Sequence, residues 1–388
     1  MSSLTIPKLL LTILLVSALL AVQSCTGMHD ERFFGRTVPP KENVLRYITG
    51  PEPETFDPAM VTSQADARIM IALYEGLVDY HPKTMQPIPA LAKTWNINKD
   101  GTVYTFHLRE NGKFSNGEPI KASDVVYSIR RGLAPELASR NAYLAYYIKY
   151  AEGFNSNNCF LRHADGIFVA SDKGAYDERL TVPCDEKKRD NLVKKQAALG
   201  DLLANTELVP VTAQDIGVEA PDDLTVRITL AQPTPFFLGL LAHQFFRVVH
   251  QPTVEKYGKK WTEEGNVITS GAFTLAEHSP YDQIVVRKSP EYWDAANVKL
   301  QGIDFYSVEE QTTILNLYKA GEVDAVFNHS VPAPWNSTIR EFKSEYSLHP
   351  EAANVYYSLS YKKPPMDNAG APIIWTIYFP RTLLFKPK

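Results

Sequence analysis

The sequence predicts an α/β protein, and three observations predict it. Val103-Tyr-Thr-Phe-His-Leu-Arg109 alternates apolar and polar residues, the period of a half-buried strand. Behind Ser123-Asp124, a pair suited to opening a helix, Val125, Val126, Ile129 and Leu133 recur at helical spacing. Later, residues 311–320 read as a helix closed by Gly321, and Val323-Asp-Ala-Val-Phe327 follows as a strand. Strands and helices therefore alternate, and each helix has an apolar face to lay on a sheet.

Composition bounds the class. The chain has 388 residues, 44% hydrophobic and 22% charged, with a net charge of −4. That length suffices for two or three lobes. Basic runs such as Glu186-Lys-Lys-Arg-Asp190 are interrupted by acids, so they read as a solvated helix face and no nucleic-acid partner is expected.

At the N-terminus Lys8 precedes an apolar run, Leu9 to Val22, too short to span a bilayer comfortably and laid out as an export signal. Val22 and Ser24 stand at minus three and minus one to Cys25, which resembles a bacterial lipoprotein site. Residues 1–25 are thus expected to be a signal peptide ending at a lipidated Cys25; a plain secretory signal cut nearby is the alternative. Lipid on Cys25 leaves Cys159 and Cys184 as an even pair in an oxidising compartment, predicted to form a disulfide across a separation of 25. A reduced, buried pair is the other reading.

Residues 26–42, polar with two prolines, read as a tether. Asn43-Val-Leu-Arg-Tyr-Ile48 is the first strand. Asn98-Lys-Asp-Gly101 and Asn116-Gly117 supply turns around the strand at 103–109. Residues 155–209 read as an insertion: a loop with both cysteines, then a charged helix from Asp185 to Asn205 carrying Leu192, Leu199, Leu202 and Leu203 on one face. The insertion is either a surface decoration or a partner-binding lid. Val226, Ile228 and Leu230 form the inward face of another strand, and residues 233–241 a short buried helix.

Several short motifs occur in an ordered set: Tyr74-Glu-Gly-Leu77, Pro89-Ala-Leu-Ala92, Trp95, Asp100-Gly101, Tyr104-Thr-Phe-His-Leu-Arg109, Lys113-Phe-Ser-Asn-Gly117 and Asp124-Val-Val-Tyr127. Together they resemble the signature of the extracytoplasmic peptide-binding proteins of ABC importers, the oligopeptide- and dipeptide-binding family. Gln214 to Leu230, Val254 to Trp261, Thr269-Ser-Gly-Ala-Phe273, Pro290-Glu-Tyr-Trp293 and Tyr356 to Asn368 continue the likeness. The resemblance implies periplasmic-binding-protein-like mixed sheets in two lobes plus an inserted smaller domain. On that frame residues 43–67 with 206–304 form the first lobe, 68–205 the inserted domain, and 305–368 the start of the second lobe. Residues 369–388, Pro-, aromatic- and Ile-rich, leave the family pattern. A truncated or frameshifted product is therefore expected, with the second lobe incomplete and with exposed edges on the strands at 323–327 and 356–361.

The resemblance also implies a ligand and a partner. In relatives a peptide lies between two lobes as an added strand, held by main-chain hydrogen bonds that are blind to side chains. By position after Asp57-Pro58, Thr62, Ser63 and Gln64 match the peptide-contacting edge; an ordinary polar loop is the alternative. Tyr143 matches a ligand-facing tyrosine, although in a chain with 20 Tyr a packed structural role is nearly as good. Ser270 falls where relatives carry a polar residue lining the cleft. The implied function is the substrate-binding component of a peptide importer, presenting peptides to a membrane permease, periplasmic or cell-surface and anchored through Cys25. The alternatives are a non-binding surface lipoprotein remnant and a binder of nickel, haem or an oligosaccharide. No HExxH, GxSxG, GxxxxGK[ST] or CxxC occurs, so neither catalysis nor a cofactor is expected. His243 and His250 read as core or surface residues rather than metal ligands.

Overall fold

The structure, a computed structural model, describes residues 33–36, 38, 42–171, 178–327 and 331–349, together with strand residues 355–356, 375–376 and 381–385. The signal segment, Cys25, most of the tether and nearly all of the family-like stretch at 356–368 lie outside the described residues. The described residues fall into two units, one of 42–45 and 49–308, the other of 33–38, 46–48 and 309 onward.

The first strand, β1 (Val44–Ile48), is followed by an irregular passage and then by α1 (Gln64–Leu73). This helix went unseen in the sequence because its first turns are polar, yet it buries Ile69, Met70 and Leu73 completely. A hairpin of β2 (Val78–Tyr80) and β3 (Pro87–Pro89) leads to β4 (Ala92–Ile97) and β5 (Val103–Leu108). Between β4 and β5 the Asn98 side chain accepts the amides of Thr102 and Val103, and Gly101 takes the positive φ that the turn requires. On β5, Tyr104, Phe106 and Leu108 are buried, as alternation predicts.

The next helix, α2 (Ala122–Gly132), begins two residues before the expected Asp124. Ala122 is fully buried, which draws the start inward, and the Asp124 carboxylate turns back to accept the Lys121 amide at 2.8 Å. Val125, Ile129 and Leu133 face the core.

α3 (Ala151–Asn155) leads into the insertion, which contains β6 (Asn158–Arg162), β7 (Thr181–Pro183), α4 (Glu186–Val193) and α5 (Ala197–Ala204) and ends in β8 (Glu207–Pro210), with sheet order β7-β6-β8. The single helix expected over 185–205 is two. The chain turns at Lys194–Gln196, which lets Leu192 and Val193 of α4 and Leu199, Leu202 and Leu203 of α5 all reach a small core around Leu161 and Val182.

After β9 (Val218–Asp222) and β10 (Thr225–Thr229), the four-stranded antiparallel sheet β4-β5-β10-β9 closes. Phe106 opposes Val226 and Tyr104 opposes Ile228, so the two inward faces coincide. This sheet draws strands from both sides of residue 205, where the sequence reading placed a domain boundary. β5 pairs along its edge with β10, which the chain reaches only after the insertion, and the shared apolar face is covered by helices. With α2 and α6 (Phe237–Leu241) it encloses a core of Phe106, Phe114, Val125, Ile129, Ile228 and Phe245. Burying side chains of this kind contributes about 1.5–3 kcal/mol each. The unit ends with α7 (Gln251–Tyr257) and the antiparallel strands β11 (Phe273–Ser279), β12 (Gln283–Lys288) and β13 (Gly302–Tyr306).

In the other unit, α8 (Gln311–Ala320) stops at Gly321 in the left-handed conformation (φ 83°), as its sequence requires. Phe34 packs on Tyr318, and Tyr318 and the Phe34 amide both donate to Glu345. The following strand, β14 (Ala325–Phe327), runs parallel to β1 through Tyr47 and Ala325. After β15 (Tyr346–His349) and the short pair β16 (Val355–Tyr356) and β17 (Trp375–Thr376) comes β18 (Arg381–Phe385). This last strand corrects an expectation: β14 is paired on its second side by β18, which in turn pairs β15, so its edge is not left open. A strand edge takes an available partner, and Arg-Thr-Leu-Leu-Phe has strand composition. Among the described residues no helix is long and apolar enough to cross a membrane.

Candidate functional site

Asp57 organises the segment that leads to Thr62. Its carbonyl accepts the amides of Met60 (3.0 Å) and Val61 (3.2 Å), and its carboxylate accepts the amide of Ala59 (3.1 Å). The same carboxylate, nearly buried, receives both Nη atoms of Arg131 from α2. Burying two charges is costly unless they meet with good geometry, and this fork does so.

A second segment, residues 139–145, is fastened to the first. Ser139 donates its hydroxyl to the carbonyl of Ala59, and Asn141 Nδ2 donates to that of Val61 at 2.6 Å. Gln244 Nε2 reaches the same Val61 oxygen at 3.4 Å, and both amides are themselves buried. One carbonyl thus receives two side-chain amides just before Thr62. Thr62 is exposed; Ser63 caps α1 by accepting the Asp66 amide at 3.0 Å; Gln64, also exposed, opens the helix. Tyr143, two residues beyond Asn141 on the short turn Ala142–Ala145, stays 58% exposed.

Four of the five residues singled out as ligand-binding therefore lie on two surface segments held together by Ser139–Ala59 and Asn141–Val61. The fifth does not join them. Ser270 is 1% exposed, donates to the Val248 carbonyl at 2.7 Å and accepts the Glu75 amide at 3.1 Å. Its hydroxyl stitches backbone to backbone beneath the surface, which corrects its reading as cleft-lining. The adjoining Gly271 explains why: a Cβ there would stand 2.7 Å from the backbone of Leu73 and Tyr74. Ser139, Asn141 and Gln244 were missed, because an amide that serves a backbone carbonyl leaves no pattern in sequence.

The Ser270 partner Glu75 holds a buried carboxyl, which accepts from Trp293 Nε1 (2.8 Å) and Tyr292 Oη (3.0 Å). Burial pushes it up to about 7, against the pull of those donors and of Arg247. Arg247 is itself buried and pairs with Asp79.

Cys159, on β6, and Cys184, just past β7, are joined as a disulfide with Cα atoms 5.1 Å apart. His250 bonds Thr253 and Glu118, while His243 accepts the Phe245 amide; burial pushes His243 down to about 4. Among the described residues no group of three His, Cys, Asp or Glu could hold a metal ion. The insertion borders an open cavity of about 670 Å³, lined in part by Tyr150, Arg179, Leu180 and Leu199, and none of the five singled-out residues borders it.

Comparison with known proteins identifies relatives of the chain. The periplasmic oligopeptide-binding protein OppA of Escherichia coli K12 is 32% identical over 339 residues, covering 86% of this chain and 52% of that protein. The crystal structure of a periplasmic oligopeptide-binding protein, OppAIV, from Borrelia burgdorferi superposes with a TM-score of 0.67 at 28% identity, over 84% of this chain and 54% of that one. Haemophilus influenzae OppA, crystallised with RPPGFSPFR, gives 0.66 at 25% identity, over 85% and 54%. The chain spans about half the length of the curated relatives it matches. Residues 86–371 match the bacterial extracellular solute-binding proteins, family 5 middle, and the chain belongs to that family.

Proposed function

We propose that this chain captures peptides outside the cytoplasmic membrane and presents them to the permease of an ABC import system, held at the membrane by lipid on Cys25. The observation that carries the reading is the family match over 86–371. Its support from geometry is the pinned pair of segments that exposes Thr62, Gln64 and Tyr143. A carbonyl fixed by two amides holds the following backbone in one path. An extended peptide can then add its main-chain hydrogen bonds without first ordering the edge. Tyr143 offers a ring to cover apolar surface and a hydroxyl that either donates or accepts.

The experiment is isothermal titration of the mature protein, beginning at Cys25, with a mixture of di- to pentapeptides. Saturable heat is expected, and Tyr143→Ala is expected to weaken it about ten-fold, the loss of one well-placed aromatic contact. A well-folded sample that gives no heat overturns the reading; the family name would then describe descent alone.

A further inference from the structure

One face of α2 borders a groove of about 620 Å³ that none of Thr62, Ser63, Gln64, Tyr143 and Ser270 lines, although Arg131, the partner of Asp57, forms part of its wall. Tyr127 and Arg130, three residues apart, stand on the same side of the helix. Phe154, Ala213, Glu219 on β9 and Gln251 at the start of α7 form other parts of the wall. The charges there do not balance. Arg131, the neighbouring cation, is answered by Asp57, and Glu219 is already committed to Arg227 at 2.9 Å. Arg130 has no such partner: among the described residues no carboxylate pairs with it. Its Nη2 donates only to the carbonyl of Val218 (3.1 Å), and its Nε is buried with no hydrogen bond at all. Burial pushes its guanidinium below the ordinary value, with no acid opposing that fall. A charge that has lost water and gained no counter-charge is costly, so a half-buried, unanswered arginine beside a groove calls for an anion from outside the chain.

We propose that this groove binds a small monocarboxylate with an apolar body, with Arg130 as its anchor. The Nε being closed off, the guanidinium meets the carboxylate through its Nη edge, where each nitrogen still has a proton to give. Phe154, Ala213 and Tyr127 cover the apolar part. The volume suits a small ligand. A phosphate dianion is normally answered by a cluster of arginines, and here one cation is free beside an acid, which favours a single negative charge.

The test titrates the full chain with 4-phenylbutyrate, 4-phenylbutanol and phenyl phosphate by calorimetry. The acid is expected to bind saturably, with the alcohol about ten-fold weaker or worse. Arg130→Gln is expected to cost the acid about ten-fold, and Arg130→Lys, which keeps the charge without the fork, a smaller part of that. Lys93→Gln removes one charge from an exposed position and leaves binding unchanged. Arg130→Gln also removes an uncompensated charge, so it melts at or above the wild-type temperature and any lost binding is not lost folding. Equal affinity for acid and alcohol, an unchanged Arg130→Gln, or no saturation overturns the site. Tighter binding of phenyl phosphate overturns the monocarboxylate assignment.

Discussion

Glu75 shows how one residue ties the family signature to stability. It sits in Tyr74-Glu-Gly-Leu77 with its backbone clamped by Ser270 and Val248 and its carboxyl buried against Trp293 and Tyr292. With the folded carboxyl raised from 4.5 to about 7, the native state binds the proton more tightly than the unfolded chain. The stability this group confers is therefore full below about 4.5 and is lost as pH climbs to 7, a swing on the order of 3 kcal/mol. Glu75→Gln keeps an acceptor for one donor and removes the charge. Thermal melts between pH 5 and pH 8 should show the wild type losing ground to Glu75→Gln across that window. Parallel curves would mean that the carboxyl stays ionised throughout.

At the scale of elements, the strands with a strict period were legible and the connections were not. The inward faces of β5 and β10 and the Gly321 end of α8 could be read from side-chain spacing because burial and φ demand particular residue types there. The existence of α1 could not, since its amphipathic signal is confined to Ile69, Met70 and Leu73 behind a polar first half. Of the candidate site, the exposed residues were proposed by likeness to a family, while the contacts that hold their segments, Asp57–Arg131 and Asn141–Val61, join distant parts of the chain and no local pattern encodes them. Those supports are testable. Asp57→Ala leaves Arg131 buried without a counter-charge and should cost about 3–5 kcal/mol in a denaturant melt. Adding Arg131→Met to Asp57→Ala should recover part of that loss. If the double variant is no more stable than the single one, the pair is not what holds the 57–61 turn.

For the whole molecule, the proposed peptide capture predicts a thermodynamic consequence independent of any one contact. A ligand that binds only the folded state stabilises it by about 2.7 kcal/mol when present at a hundred times its dissociation constant. In a chain of this size that corresponds to a rise in melting temperature of several degrees. The proposed edge recognises main chain, so peptides of equal length and different side chains should give shifts of similar size at matched concentration. A thermal-shift series over alanine-, lysine- and leucine-rich tripeptides makes the comparison directly. Shifts that agree within a degree or two support an edge of the kind pinned at Val61. A strong dependence on side chain would transfer the discrimination to Tyr143 and its surroundings, and the main-chain reading of Thr62–Gln64 would have to be given up.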